Sequence, residues 1–205
     1  MSLFEIADAI GLVTFSISGF LMGIRKRLDI LGIVIAAFST ALGGGIIRDV
    51  VVGHTPIAFT KSSVLFFVIA GIIIALILKL HTKKQPERFS IFILMDSIGL
   101  VAFAITGALV GIEAQFNLFG IMLLAFITAV GGGMLRDIMV NEVPIVLTSD
   151  FYGTVALLIA LLIYICDLLD YLGTFTLATI ATVALFLRLV AYYQKWQLPK
   201  IKGKS

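Results

Sequence analysis

The chain has 205 residues, of which 60% are hydrophobic and only 13% are charged, and its mean hydropathy is +1.15. Soluble domains carry about 45–50% apolar and about 25% charged residues, so this chain has too few polar groups to cover a surface in water. The composition excludes a soluble enzyme and a disordered chain. A single cysteine, Cys166, also excludes an internal disulfide framework and a cysteine-based metal cluster. We therefore predict an integral membrane protein that is not an enzyme.

Seven segments are apolar and long enough to cross a hydrocarbon core about 30 Å thick, which needs roughly 20 helical residues. The first segment contains acidic residues and lacks a basic start and a small-residue cleavage site, so we interpret it as a retained helix rather than a secretory signal. The predicted fold is all-α, with seven transmembrane helices at residues 4–24, 30–52, 62–80, 91–112, 118–140, 151–168 and 174–193.

The positions of the 15 lysine and arginine residues predict the orientation. With the N-terminus outside, twelve of them lie on the inner side and only Lys61 lies in an outer loop, which satisfies the positive-inside rule. We predict a multi-pass protein of the plasma membrane with a cytoplasmic C-terminus. Its basic tail is explained by topology and by attraction to anionic membrane lipids rather than by nucleic-acid binding. The twelve inner residues are Arg25, Lys26, Arg27, Lys79, Lys83, Lys84, Arg88, Arg188, Lys195, Lys200, Lys202 and Lys204.

An internal repeat with an offset of 88 residues organises the chain. Residues 41–49 read ALGGGIIRD and residues 129–137 read AVGGGMLRD, and about half of the positions between Asp8 and Thr60 are identical in the second copy. Each copy holds three spans, so the second copy enters the membrane the opposite way up, as in many transport proteins. We predict a first repeat at residues 1–82, an inverted second repeat at 89–170, a seventh helix at 171–195 and a basic cytoplasmic tail at 196–205.

Two glycine triplets lie within the second and fifth spans. Glycine costs about 0.8–1 kcal/mol relative to alanine in a helix interior, so three in succession predict that each of these two helices is broken or kinked. Broken helices at matching positions of inverted repeats indicate a permeation or binding site. The alternative is close helix packing through small residues. The predicted hinge positions are Gly43, Gly44, Gly45, Gly131, Gly132 and Gly133.

Each triplet is followed by an Arg-Asp pair, and ionisable groups at membrane depth indicate functional sites. The predicted topology brings Asp8, Arg48 and Asp49 together near the outer surface, and we name this group the outer cluster. Its inverted copy, the inner cluster, contains Asp96, Arg136 and Asp137. Two carboxylates facing one guanidinium leave negative charge at both ends of a path, which favours cations. The alternative is that each arginine only joins two helices through an ion pair.

Other polar side chains are candidates for lining the path. They are Ser16, Ser18, Thr40, Thr106 and Thr128, although serine and threonine hydroxyls also bond to their own helix. No motif for metal, phosphate or nucleophile chemistry is present in the sequence, and both histidines are assigned to loops. We therefore expect no catalytic residue, no cofactor and no resident metal, only monovalent cations in transit.

The doubled GGGxxRD motif, the Asp-x-x-Gly starts at Asp8 and Asp96, and the layout of three plus three plus one spans resemble the prokaryotic trimeric intracellular cation (TRIC) channels. The resemblance covers roughly residues 5–195. It implies a homotrimer with one pore in each protomer, bending of the second and fifth spans at the two triplets, and potassium as the main permeant ion. Animal members carry a Lys-Glu-Val motif in the fourth span, where this chain reads Asp96-Ser97-Ile98-Gly99.

The sequence therefore predicts a channel that passes monovalent cations down their gradient, with potassium as the main ion and sodium as a second candidate. The same bacterial sequence family has also been labelled a glycine transporter, which makes a carrier for a small amino acid the alternative function. A lipid-binding or assembly protein without transport is the third. A helix start after the triplet is able to hold a carboxylate, so the sequence leaves the carrier open.

Overall fold

The computed structural model describes residues 2–148 and 151–196, except for the side chain of Pro86. Within these residues the chain forms nine α-helices and one short 3-10 turn at Leu80–Thr82, and no strand. The predicted basic tail beyond Trp196, with Lys200, Lys202 and Lys204, lies outside the described residues. The helices are α1 Leu3–Arg25, α2 Ile30–Val51, α3 Ile57–Thr60, α4 Ser62–Ile77, α5 Gln85–Glu113, α6 Leu118–Met139, α7 Ile145–Thr148, α8 Gly153–Leu168 and α9 Thr174–Tyr193.

Seven of these helices correspond to the seven predicted spans. Helices α1, α2, α5, α6 and α9 are long and apolar enough to cross a membrane, whereas α4 and α8 are apolar but contain only 16 residues. At 1.5 Å per residue, 16 residues reach about 24 Å, which is less than the hydrocarbon thickness. The four-residue helices α3 and α7 occupy the loops before α4 and α8, at repeat-equivalent positions that the sequence analysis assigned to turns or loop.

Two boundaries differ from the predicted ones for local reasons. Helix α4 ends at Ile77 because Lys79 takes a left-handed conformation with φ +50°. Helix α5 begins at Gln85, six residues before the predicted span, and it has Pro86 in its first turn. Proline is tolerated there because the first amides of a helix have no intrahelical acceptor. Helix α5 thus extends beyond the apolar segment on the side where α1 ends.

The repeat is visible in how its helices begin. The Asp29 side chain accepts a hydrogen bond from the Gly32 amide at 2.7 Å and caps α2. The Asn117 side chain accepts from the Gly120 amide at 2.9 Å and caps α6 in the same way. Side-chain oxygens at this position satisfy an otherwise unpaired amide of the first turn. The same local chemistry therefore starts the second helix of both repeats.

The two repeats pack through their equivalent helices, α1 against α5 and α2 against α6. Where α1 meets α5, the rings of Phe15 and Phe103 lie 5.2 Å apart in an edge-to-face arrangement. A Cβ atom at Gly11 would overlap the Phe103 ring, and one at Gly99 would overlap the Phe15 ring. These positions are related by the 88-residue offset, so the contact is reciprocal. Helix α4 packs on α1, α8 on α5 and α6, and α9 on α5 and α8.

Of the break or kink predicted at the glycines of the second and fifth spans, the break is wrong, and the kink stays a prediction. Helix α2 is continuous through Gly43–Gly45, and α6 is continuous through Gly131–Gly133. A Cβ atom at Gly44 would overlap the Thr128 carbonyl oxygen of α6, and one at Gly132 would overlap the Thr40 carbonyl oxygen of α2. The absence of side chains thus permits backbone-to-backbone contact, which is the small-residue packing that was the alternative.

We predict that Gly44→Ala destabilises the folded protein whereas Gly45→Ala does not. The added methyl group at Gly44 collides with the backbone of α6, and overpacking of this kind costs about 1–3 kcal/mol. At Gly45 the nearest heavy atom is the Arg48 Nη2 atom at 3.7 Å, which is an ordinary contact. The melting temperature of each detergent-solubilised variant, followed by circular dichroism, tests this difference. Equal melting temperatures would contradict the close contact between α2 and α6.

Candidate ion pathway

The outer cluster forms as the sequence predicts. The Arg48 Nε atom donates to Asp49 Oδ1 at 2.8 Å, and its Nη1 atom donates to Asp8 Oδ1 at 3.1 Å. The same Nη1 atom lies 3.2 Å from the Thr106 hydroxyl of α5. Arg48 is buried, with 1% of its side chain exposed. The cluster therefore joins the start of α1, the end of α2 and the last third of α5.

The inner cluster repeats this arrangement at the other end of the bundle. The Arg136 Nε atom donates to Asp137 Oδ1 at 2.8 Å, and its Nη1 atom donates to Asp96 Oδ1 at 2.6 Å. Nη1 also donates to the Ser18 hydroxyl of α1 at 2.7 Å. Ser18 and Thr106 are repeat equivalents, so each repeat supplies one hydroxyl to the arginine of the other.

These contacts establish the inverted relation of the two repeats. Asp8 begins α1 and meets Arg48 at the end of α2, so these two helices run in opposite directions. Thr106 in the last third of α5 lies at this same end, whereas Ser18 in the last third of α1 lies at the other. Helices α1 and α5 are therefore antiparallel, and the second repeat is turned over relative to the first.

Asp49 and Asp137 each have a second bond that fixes the loop beyond their helix. The Asp49 Oδ2 atom accepts from the Ile57 amide at 2.8 Å, at the start of α3. The Asp137 Oδ2 atom accepts from the Ile145 amide at 2.9 Å, at the start of α7. Both oxygens of each carboxylate are thus engaged. The two short helices are positioned by the same side chains that neutralise the arginines.

An aromatic ring covers each guanidinium. The Arg48 Cζ atom lies 5.0 Å from the centre of the Phe4 ring, and the Arg136 Cζ atom lies 4.8 Å from that of Phe92. Phe4 and Phe92 are again repeat equivalents. Cation–π contacts of this kind stabilise a cation that has lost its water. Sequence analysis missed both rings, although the 88-residue offset relates them.

Neither carboxylate of the inner cluster faces water. Both of its carboxylates bind Arg136, and the Asp96 and Asp137 side chains are each 2% exposed. In the outer cluster both carboxylates also bind the arginine, but the Asp8 side chain remains 13% exposed. The two clusters share their geometry and differ in their access to solvent.

Helices α8 and α9 account for this difference. The Tyr152 hydroxyl, just before α8, donates to the Asp96 Oδ2 atom at 2.7 Å. The Arg188 Cζ atom of α9 lies 4.9 Å from the centre of the Tyr152 ring and 5.8 Å from that of Tyr192. Val64 occupies the position in the first repeat that corresponds to Tyr152. The sequence analysis used Arg188 only to predict the orientation of the chain, although a charged residue within an apolar span also indicates a functional site.

The remaining candidate hydroxyls bond to backbone carbonyls in this structure. Thr40 donates to the Ala36 carbonyl and Thr128 to the Leu124 carbonyl, both at 2.6 Å and each within its own helix. Ser16 donates to the Val68 carbonyl at 2.7 Å and joins α1 to α4. All three are buried. They stabilise helix contacts, and a pore-lining role for them stays a prediction.

A cavity opens beside each cluster, and we name the two the outer cavity and the inner cavity. The outer cavity has a volume of about 680 Å³ and the inner cavity about 190 Å³. Asp49 lines the first and Asp137 lines the second. Repeat-equivalent residues line both cavities at seven positions, which pair as Phe4 with Phe92, Asp49 with Asp137, His54 with Glu142, Thr55 with Val143, Ile57 with Ile145, Val110 with Met22 and Glu113 with Arg25.

The rim of the inner cavity contains an ion pair between loops. The Lys26 Nζ atom lies 2.6 Å from a carboxylate oxygen of Glu142. The hydrogen bond from Lys26 and its charge lower the pKa of Glu142, so this carboxylate is ionised and neutralised by the lysine. The pair joins the loop after α1 to the loop after α6.

The fold and the two clusters define a helical membrane protein built from two inverted three-helix repeats and a seventh helix. A family model described as "Glycine transporter" matches the chain twice, at residues 5–80 and 93–168. The chain is also 32% identical over 198 residues to the UPF0126 membrane protein YvgT of Bacillus subtilis, covering 95% of each chain. The chain therefore belongs to the membrane-protein family that this model describes.

Solved structures of TRIC channels share the fold. One, described as the structural basis for conductance through TRIC cation channels, is 34% identical, with a TM-score of 0.84 and full coverage of both chains. Another, the TRIC trimeric intracellular cation channel orthologue from Rhodobacter sphaeroides, is 27% identical with a TM-score of 0.86, covering 95% of this chain and 100% of that one. The resemblance to the TRIC family that the glycine and Arg-Asp motifs indicate is confirmed.

We predict that Asp96→Asn destabilises the protein more than the repeat-equivalent Asp8→Asn. Asp96 is almost fully buried and accepts hydrogen bonds from Arg136, Ser18 and Tyr152, whereas Asp8 is partly exposed. Removing one partner of a buried ion pair costs about 3–5 kcal/mol, and exposure to water reduces the cost. Melting temperatures in detergent compare the two variants. A larger loss for Asp8→Asn would contradict the assignment of the inner cluster as the more enclosed one.

Proposed function

We propose that the protein is a channel for monovalent cations, with potassium as the main permeant ion. The observation that carries the proposal is the 34% identity and TM-score of 0.84, over the whole of both chains, to a structure of TRIC cation channels. Likeness to a channel described as trimeric supports a homotrimer in which each protomer holds its own pore. The N-terminus lies outside and the C-terminus in the cytoplasm, as the positive-inside rule predicts.

The geometry supports a path that runs between the outer and inner cavities through the centre of one protomer. Asp49 and Glu113 line the outer cavity, and the carboxylate of Glu113 is exposed there and attracts cations. Between the cavities the path is closed at three levels, by the outer cluster, by the contact of α2 with α6 and by the inner cluster. Conduction therefore requires the helices around Arg48 and Arg136 to move apart.

The two glycine triplets form the middle of this path. Their contact consists of backbone against backbone, with Gly44 on Thr128 and Gly132 on Thr40. The Leu135 and Ile47 side chains pack on Gly43 and Gly131 beside these two points. Separation of α2 from α6 would expose the Thr40 and Thr128 carbonyl groups between these side chains. Carbonyl oxygens are ligands that replace part of the hydration shell of potassium in channel filters. We assign Gly43–Gly45 and Gly131–Gly133 to the pore on this basis.

A carrier for glycine is the second candidate, because the matching family model bears that description. Channel and carrier differ in what crosses the membrane and how fast. The purified full-length protein is reconstituted in planar bilayers with a potassium gradient, and uptake of labelled glycine is measured in parallel vesicles. Unitary currents that reverse near the potassium potential support the channel. Glycine uptake without such currents would overturn the proposal and establish the carrier.

We predict that Asp49→Asn lowers the preference of the current for cations over anions. Asp49 lines the outer cavity, and loss of its charge leaves Arg48 with one carboxylate partner instead of two. Asp137→Asn makes the same change at the inner cavity. The reversal potential in a gradient of potassium chloride measures the effect. Asp170→Asn, in the exposed turn after α8, is the control. Unchanged selectivity in both cluster variants would show that the clusters are purely structural.

A further inference from the structure

The two cavities occupy equivalent places in the inverted repeats, but they contain charges of opposite sign. Glu113 lines the outer cavity at the end of α5, and its repeat equivalent Arg25 lines the inner cavity at the end of α1. The offset of 88 residues relates the two positions without a gap. At this pair of equivalent positions the two cavities therefore contain side chains of opposite charge.

The charged groups around Glu113 and Arg25 do not cancel this difference in charge. At the outer cavity, Glu113 is exposed and has no ion-pair partner in residues 2–148 and 151–196, and the other titratable side chains of the lining are Asp49 and His54. Asp49 is paired with Arg48, which also binds Asp8. With histidine neutral and the carboxylates ionised, the outer end carries net negative charge.

At the inner cavity the balance is positive. Glu142 is paired with Lys26, and Asp137 is paired with Arg136. The second carboxylate on Arg136 is that of Asp96, and Arg188 of α9 lies near enough to interact with it. Tyr192 is the remaining titratable group of the lining. Arg25 is exposed and packs over the Phe89 ring at 5.4 Å. It forms no ion pair within 4 Å among residues 2–148 and 151–196, and Glu142, which its charge also reaches, is already paired with Lys26, so the cations around the cavity exceed the carboxylates by one.

We propose that Glu113 and Arg25 set the direction in which cations pass most readily, and that the protein rectifies potassium current in favour of entry from the outer cavity. The proposal rests on the channel function proposed above. A negative mouth raises the local concentration of cations and so the rate at which they enter, whereas a positive mouth lowers both. The symmetric fold alone would give equal currents in both directions. The opposite charges of Glu113 and Arg25 would make them unequal.

The salt dependence of the current in the unmodified protein is the first test. The Debye length is about 10 Å at 0.1 M salt and about 3 Å at 1 M, so the mouth charges act on the cavity only at the lower concentration. In symmetric 0.1 M potassium chloride we expect the current from the outer to the inner side to exceed the reverse current about twofold at equal voltages. At 1 M the ratio should approach one. The sidedness of insertion is determined from the accessibility of an N-terminal epitope tag.

The second test exchanges the charges. In the double variant Glu113→Arg with Arg25→Glu, the preferred direction should reverse, and each single variant should bring the ratio close to one. Both side chains are exposed, so folding is expected to survive, and gel filtration of each variant checks it. The milder Glu113→Gln and Arg25→Gln serve if a charge reversal prevents folding. Controls are Lys84→Glu on the inner side and Asp170→Arg on the outer side, because both residues are exposed and line neither cavity.

The outcomes separate the two proposals. Potassium currents with a ratio that reverses in the double variant and stays unchanged in both controls support the assignment of Glu113 and Arg25. Potassium currents whose ratio is near one at 0.1 M, or does not respond to the exchange, would overturn it and leave the channel function standing. Absence of potassium current in the folded, unmodified protein would overturn the channel function itself.

Discussion

The structure depends on the requirement that a guanidinium buried in a membrane protein be neutralised and hydrogen-bonded. An uncompensated charge at this depth is expensive, so the partners of Arg48 and Arg136 are as constrained as the arginines themselves. Each arginine binds the aspartate that follows it, the aspartate near the amino end of its own repeat, and a hydroxyl of the other repeat. This exchange of Thr106 and Ser18 interlocks the two repeats at both ends of the bundle.

Between the clusters, the central contact has a different character. Large polar networks close the two ends, whereas the middle is closed by glycines of α2 and α6 that leave backbone against backbone. The continuity of both helices means that their inward polar groups are helix carbonyls. A path that opens here by separation of two rigid helices needs no unfolding of either. In the proposed opening, the ion pairs of the two clusters would hold the ends closed and the glycine contact would separate.

The seventh helix and Tyr152 make the two ends unequal. A perfect inverted repeat would present the same surface to both sides of the membrane, so an ion would meet the same groups from either side. Tyr152 and Arg188 enclose the inner cluster, whereas the outer cluster keeps Asp8 partly exposed. Glu113 in the outer cavity and Arg25 in the inner cavity add a difference in charge between the two ends. The difference between the two ends of the bundle therefore arises from a few residues in an otherwise symmetric arrangement of helices.

The sequence by itself determined the seven helices, the 88-residue repeat and the membership of both clusters, because hydropathy and the spacing of ionisable residues are local or periodic signals. It did not determine that α2 and α6 are continuous. Glycine lowers helix propensity, but whether a triplet breaks a helix or packs closely depends on what lies opposite, and Thr40 and Thr128 are supplied by the other repeat. The hydrogen bond from Tyr152 to Asp96, and the packing of Arg188 over the Tyr152 ring, likewise required the tertiary structure. These contacts join residues far apart in the chain, and no pattern along the sequence states which of them meet.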